Sequence, residues 1–414
     1  MITEDTEASQ PIWSNVITLT LSWIIWSPFQ SAVWTYFQAY LKELGATPSI
    51  IALISSVTTV AIIFARIFGG YLTDIIGRRK MIVIFTFFIA FSYYAYTWFL
   101  DWKWVLIVGV LSNIALLYQP ALNAIIADSL PKKRRGFGYM ITRLADIATI
   151  FAPLIAAYVL MLNNNDITAT ELNLFILACV SGLCAATLRA IGLKETIRLG
   201  KIHQKLSSFM IHLTTEYKRT FYYMIKNMKL YILARILFAM GFGLTALTQY
   251  YAFYYLEISY EDWAIAVFIS NVIGFLSAIF SGFLTDKLGR KSTAIIGVIS
   301  GVIGYYILAT IPRGTNATFY LILSFIASAI MYGFTGISFS AMWADLMPIH
   351  LRGKGFAVLR AILDTVIAIT TMISGILYEQ VNPRTPFFLA FLVMLVLTII
   401  SFWIHETLEE IGKG

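Results

Sequence analysis

Ile67-Phe68-Gly69-Gly70-Tyr71-Leu72-Thr73-Asp74, followed by Gly77-Arg78-Arg79-Lys80, has a second copy in Ile279-Phe280-Ser281-Gly282-Phe283-Leu284-Thr285-Asp286, followed by Gly289-Arg290-Lys291. Each copy ends an apolar run, turns at a glycine and continues into a basic cluster. Two more pairs follow in the same order. Ala127-Asp128, Pro131 and Arg135-Gly136 match Ala344-Asp345, Pro348 and Arg352-Gly353. Lys194-Glu195-Thr196 matches His405-Glu406-Thr407. Three matches in one order imply that the chain is a duplicated unit.

The composition says in which solvent that unit folds. Of 414 residues, 59% are hydrophobic and 13% charged, against roughly 25% charged in soluble domains. Such a chain cannot cover a water-facing surface, and the bilayer fits instead. Apolar stretches near 13–39, 48–73, 81–100, 103–127, 136–161 and 171–193 are long enough to span. They resume near 230–256, 263–285, 292–312, 318–344, 355–379 and 386–405. The fold expected is an all-α membrane protein of twelve transmembrane helices in two pseudo-symmetric six-helix halves, 1–193 and 230–414. A polar linker, 194–229, joins them. Its Ile202, Leu206, Phe209, Met210, Leu213, Tyr217 and Phe221 recur mostly at three- and four-residue steps, which predicts an amphipathic helix on the membrane surface.

With twelve spans, the clusters Arg78-Arg79-Lys80, Lys132-Lys133-Arg134-Arg135, Lys287-Arg290-Lys291 and Arg352-Lys354 share one side. Lysine and arginine favour the cytoplasmic side, which would also hold both termini. The net charge of +8 is therefore read as a membrane-facing basic surface, with lipids as neighbours and no nucleic-acid partner. Residues 1–10 carry Glu4, Asp5 and Glu7 and no basic residue, the wrong start for a cleavable signal peptide. Cys179 and Cys184 read as buried thiols. His203, His212, His350 and His405 fall in loops or at a helix end, so no metal site is expected. There is no HExxH, GxSxG or phosphate loop, and an enzyme is not indicated. Asn316-Ala317-Thr318 is an N-glycosylation pattern on the expected outer side.

The run from Gly70 to Arg79 resembles the signature loop between the second and third helices of the major facilitator superfamily, G-x-L-x-D-x-x-G-R-[RK]. It departs at Ile75, where the family often has a basic residue; the second copy keeps Lys287. The resemblance spans essentially the whole chain and implies a secondary transporter working by alternating access. In that reading Gly70 and Gly282 permit close helix packing. Asp74 and Asp286 end their helices, and Gly77 and Gly289 make the turns. Arg78 or Arg79 pairs with Asp128, and Arg290 with Asp345, in a network that holds the cytoplasmic side shut. Ala148, Ala152 and Pro153 look like the antiporter element G-x-x-x-G-P of the family's drug exporters, with alanine at both glycine places. The basic residue often found early in the fourth helix of proton-coupled members is absent; Ile107 and Val108 stand in that region.

Ionisable groups inside a span are costly and usually functional. Five stand out: Arg66, Arg143, Asp146, Arg360 and Asp364. At about 1.5 Å per residue all lie near the midplane or in the cytoplasmic half. Arg189 and Arg235 are close enough to the ends to snorkel. Arg143 with Asp146 and Arg360 with Asp364 have the spacing of local ion pairs. In the family fold helices two and eleven meet, so Arg66 and Asp364 could instead form a gate between the halves. A carboxylate that loses its cation takes up a proton, which makes H+ the coupling ion expected; no cofactor is expected.

The resemblance implies a cavity lined by helices one, four, seven and ten. Gln30, Trp34, Gln38, Asn113, Gln119, Asn123, Gln249, Tyr250, Tyr332 and Trp343 on those helices, with Asn271 on helix eight, are its candidate side chains. Amides with aromatic faces suit a neutral polar or amphipathic small-molecule solute. The reading is an exporter in the plasma membrane, working as a monomer. Uptake of sugars or organic acids is the alternative, and a non-transporting membrane sensor is the alternative of another class.

Overall fold

The computed structural model describes residues 12–130, 140–197, 206–348 and 351–407. The basic run 132–135, the linker residues Lys201 and Lys205 with His203, and the side chain of Asp74 lie outside the described residues. Among those described, eleven helices are long and apolar enough to cross a membrane. Span 1 is Trp13–Val33, continued past a turn by Phe37–Glu43, and span 2 is Pro48–Ile76. Spans 4 to 6 are Trp102–Ser129, Met140–Leu162 and Ile167–Gly192. Spans 7 to 9 are Lys229–Tyr254, Tyr260–Lys287 and Arg290–Thr310, and spans 10 to 12 are Ala317–Leu346, Arg352–Gln380 and Thr385–Trp403. The remaining member, span 3, is Arg78–Ala95. It is less apolar than the others because Arg78, Arg79 and Lys80 fill its first turn. Its 18 residues still reach about 27 Å, close to the thickness of the hydrocarbon core.

Helix starts differ between the two sides. Spans 2, 4, 6 and 8 begin on the far side, away from the basic loops. There the side chains of Thr47, Asp101, Asp166 and Ser259 accept backbone N–H groups of Ile50, Lys103, Ala169 and Asp262, each capping the first turn. Spans 3 and 9 begin on the basic side from Gly77 (φ 96°) and Gly289 (φ 88°), a backbone that disfavours any side chain.

Within the first half, span 6 packs on spans 1 and 3; within the second, span 10 packs on spans 8 and 9, and span 12 on spans 7 and 9. Two seams join the halves: span 2 on span 11, and span 5 on span 8. The linker helix, Leu206–Asn227, lies against spans 7 and 11 of the second half. Its own Thr220 and Met224 are buried, and its Glu216 meets Lys354 of span 11 at 2.5 Å.

Three expectations need correction. Cys179 is buried, but Cys184 is exposed on the surface of span 6. Gly70 and Gly282 face open space, and a side chain there would touch nothing. The close approach is at Gly69, whose added Cβ would strike the Leu117 backbone of span 4; in the second copy Ser281 stands there, buried, bonding the Phe334 carbonyl of span 10. Arg189 does not snorkel. It is 0% exposed, donates to Ser22 Oγ (2.9 Å) and Thr86 Oγ1 (2.8 Å), and lies 5.7 Å from the ring centres of both Trp23 and Trp26. Hydroxyls and indole faces replace a carboxylate partner there.

Candidate functional site: gates and a cavity between the halves

On the basic side each half closes on itself in the same way. Arg78 of span 3 pairs with Asp128 of span 4 and donates to Thr196 Oγ1 at 3.0 Å. Arg290 of span 9 pairs with Asp345 of span 10 and donates to Thr407 Oγ1 at 3.3 Å. The third repeated element supplies the cap that spans 3 and 9 lack. Glu195 accepts the N–H of Arg79 (3.0 Å), and Glu406 accepts those of Arg290 (3.0 Å) and Lys291 (2.9 Å). A carboxylate at a helix N-terminus satisfies orphan donors and complements the dipole. Gly289 is required twice over, since a Cβ there would meet the Glu406 carboxylate. Arg79 turns away from Asp128 and donates to the Ala190 carbonyl at 2.6 Å. Asp286 is exposed. Each of these pairs lies inside one half, so the network ties each bundle together.

The bond across the halves on this side is at the seam of spans 2 and 11. Arg66 contacts Asp364 directly, and Arg360 reaches the other oxygen of the same carboxylate at 3.4 Å. The Asp364 side chain is only 7% exposed. Arg143 and Asp146 also pair, at 3.1 Å, but with side chains 79% and 53% exposed and, among the described residues, no ion-pair partner from the other half.

The far side is shut by a reciprocal amide lock. Spans 1 and 7 are both interrupted, at Trp34–Tyr36 and Thr245–Leu247, which frees backbone carbonyls inside the bilayer. Each break is satisfied from the opposite half. Gln249 Nε2 donates to Trp34 O (3.1 Å) and Thr35 O (2.5 Å), and its Oε1 accepts the N–H of Gln38 (2.6 Å). Gln38 Nε2 donates to Ala246 O (2.7 Å), and its Oε1 accepts the N–H of Tyr250 (3.0 Å). Trp263 Nε1 adds a bond to Thr35 O at 2.9 Å, and Tyr36 Oη donates to Tyr260 O at 3.1 Å. Gln38 and Gln249 are repeat mates, 211 residues apart, so the lock has the pseudo-symmetry of the duplication. Irregular backbone at membrane depth is tolerated only where protein or a water-filled cavity satisfies it.

Two lobes of open space adjoin the break of span 7 and share Ala246 and Thr248; the first is lined by both halves and the second by the second half alone. The first, about 310 Å³, is walled by Trp34, Gln38, Thr58, Tyr96, Asn113 and Gln249, among others. The second, about 290 Å³, is walled by Phe242, Thr245, Ser270, Tyr305, Ser328 and Tyr332, among others. Tyr305 and Tyr332 share a hydroxyl contact at 3.2 Å. Of the side chains expected from sequence, Trp34, Gln38, Asn113, Gln249 and Tyr332 line these lobes. Gln30, Gln119, Asn123, Tyr250, Asn271 and Trp343 do not. Gln30 bonds Tyr93 inside the first bundle. Tyr250 is buried against Tyr254 and Tyr378, and Trp343 against Tyr231 and Phe356. Tyr96, Thr58, Phe242 and Tyr305 sit on spans 3, 2, 7 and 9 and were passed over, three of them because the expected lining stopped at spans 1, 4, 7, 8 and 10.

Two bundles of membrane-spanning helices thus meet at two seams, with lobes of open space beside the breaks of spans 1 and 7. The chain belongs to the Major Facilitator Superfamily, whose model matches residues 16–281 and 232–413, and it is a membrane transporter of that family. Over 136 residues it is 29% identical to the quinolone resistance protein NorA of Staphylococcus aureus; the match covers 33% of this chain and 34% of that relative. Among solved structures it resembles the peptide transporter POT in complex with sulfate (TM-score 0.74, 13% identity, covering 97% of each chain). It also resembles a D-xylose–proton symporter (TM-score 0.69, 18% identity, covering 96% of this chain and 99% of that one). At such identities these structures speak for the fold alone.

Proposed function

We propose that the protein exports an amphipathic small molecule, with the basic loops and both termini in the cytoplasm of a cell whose plasma membrane holds it as a monomer among lipids. The observation that carries this reading is the pair of lobes beside the Gln38–Gln249 lock. Their walls are aromatic and aliphatic side chains, hydroxyls and amides, and among the described residues no Lys, Arg, Asp or Glu lines either lobe. Such walls offer stacking surface and a few hydrogen bonds to a neutral or weakly charged amphiphile. The relative named for quinolone resistance supports an aromatic, drug-like solute. Gln38 and Gln249 serve as the outer gate, and Arg66 with Asp364 as a cross-half bond on the cytoplasmic side. H+ is the coupling ion we favour, with Asp364 rather than Asp146 as the carboxylate that changes partner, because only Asp364 is held by the opposite half.

Proteoliposomes test this with a fluorescent amphipathic dye and radiolabelled xylose under pH gradients imposed in each direction. Dye movement that reverses with the gradient is expected. Gradient-driven xylose flux without dye movement would overturn export in favour of sugar uptake.

A further inference from the structure

Span 6 holds a second buried charge-bearing residue, and nothing described so far uses it. Glu171 sits one turn inside the far-side end of Ile167–Gly192 and is 0% exposed. Neither of its carboxyl oxygens has a hydrogen-bond partner among the described residues. The contrast with Arg189 on the same helix is direct, since Arg189 has hydroxyl donors' oxygens and indole faces around it. Burying an ionised carboxylate with no partner is prohibitive, and such a group is carried as the neutral acid. We propose that Glu171 is a proton-binding site that links closure of the Gln38–Gln249 gate to the pH of the far side.

The neighbours explain how the gate and the carboxyl communicate. Span 6 packs against span 1 and its Phe37–Glu43 continuation, span 3, and span 5. From the Phe37–Glu43 continuation and the turn before it, Tyr40 and Tyr36 are fully buried; Tyr40 packs on Phe175, one turn along from Glu171, at 5.6 Å, and its hydroxyl also lacks a partner among the described residues. Lys42 and Glu43 on that continuation are exposed. From span 3, Tyr93 and Tyr96 are buried, Tyr96 stacking on Phe175 one turn along at 4.9 Å. Span 5 contributes Tyr158, which is exposed. The cover over Tyr36 comes from the other half: its hydroxyl bonds Tyr260 O, and its ring packs on Tyr260 and Phe253 at 5.8 and 6.4 Å. When the halves part on this side, that cover leaves and water reaches Glu171.

The sign follows. The closed gate holds the proton; in the open gate a hydrated glutamic acid ionises near pH ~4.3. Closure therefore takes up one proton, is favoured fully below that pH, and weakens as pH rises above it. One proton changes the closed-to-open ratio about tenfold per pH unit. This inference rests on the alternating-access reading but not on which solute is carried.

The test uses spin labels at Lys42, on the Phe37–Glu43 continuation, and Glu257, in the far-side loop after span 7, with distance distributions recorded from pH 5 to 9 in lipid nanodiscs. In the unsubstituted protein the long-distance, open population should grow with pH. Glu171→Gln, which keeps the shape and cannot ionise, should hold the gate closed at every pH. Tyr40→Phe, which leaves the carboxyl in place, should retain the pH response. A pH response in Glu171→Gln equal to that of the unsubstituted protein would overturn the proposal, as would a flat response in the unsubstituted protein. Dye flux in the same proteoliposomes separates the two readings: flux with no pH-dependent gating sinks the Glu171 site alone, and gating without flux of any solute sinks the transport reading alone.

Discussion

Arg143 with Asp146 on span 5 and Arg360 with Asp364 on span 11 stand at matching places in the two repeats, yet only one pair is built into a seam. Asp364 is 7% exposed and shared between Arg360 and Arg66 of the other half; Asp146 is 53% exposed and has its helix neighbour only. The reason can be read at one position. Arg66, on span 2, faces span 11; its repeat mate on span 8, which packs on span 5, is Ala278. Span 8 therefore offers Asp146 no cation at the position matching Arg66, and the seam of spans 5 and 8 includes apolar contacts such as Phe151 against Phe268 at 5.9 Å. The basic-side networks behave oppositely, since Arg78–Asp128–Glu195 and Arg290–Asp345–Glu406 are alike residue for residue. On the basic side, what the duplication kept holds each bundle together, and what it changed joins the bundles; the Gln38–Gln249 lock on the far side joins them and was kept.

That comparison can be broken at its strongest point first. Asp364→Asn leaves Arg66 and Arg360 without a counter-charge, at an expense of about 3–5 kcal/mol for a broken buried pair. Asp146→Asn should cost about 0.2–1 kcal/mol, as for exposed pairs. Thermal unfolding in detergent and dye flux should both separate the two variants, with flux lost in the first and near normal in the second; equal behaviour would return Asp364 to the status of a local ion pair. The exchange Arg66→Asp with Asp364→Arg should recover part of the lost stability and flux, since the pair is restored while Arg360 then faces a like charge. Ala278→Arg should move the seam of spans 5 and 8 toward the other one by giving Asp146 a partner from the opposite half. The expected gain is about 1 kcal/mol in stability, with slower turnover, and no change in either would mean that Asp146 is out of reach. The smallest effect concerns the repeated caps. Glu195→Gln and Glu406→Gln should each cost about 1 kcal/mol and differ little from each other, because both carboxylates do the same job.

Much of this was legible in the residues, and the gaps have physical causes. The apolar runs and the basic clusters fixed the spans because bilayer thickness and charge leave few alternatives. The loop pairs could be named because the same residues occur twice at matched depths. The contact of Arg66 with Asp364 needed only depth and the neighbours that the family fold assigns to span 2. The gate was hidden: the breaks at Trp34–Tyr36 and Thr245–Leu247 contain neither proline nor glycine, so Gln38 and Gln249 read as cavity wall. Gly70 was chosen over Gly69 because a motif fixes spacing but not which face of the helix meets a neighbour. Glu171 escaped notice because it fell at the expected edge of span 6, whereas the helix starts four residues earlier, after its Asp166 cap.

The claim that one seam, and not its repeat mate, sets the conformational balance is tested most directly by distances across that seam. Spin labels at Ile75 and Phe356, exposed positions at the basic-side ends of spans 2 and 11, would be measured by double electron–electron resonance in unsubstituted, Asp364→Asn and Asp146→Asn protein. The expected result is a distribution shifted to longer distances in Asp364→Asn alone, with Asp146→Asn superimposable on the unsubstituted protein. Distributions that shift equally in both variants, or in neither, would contradict the account.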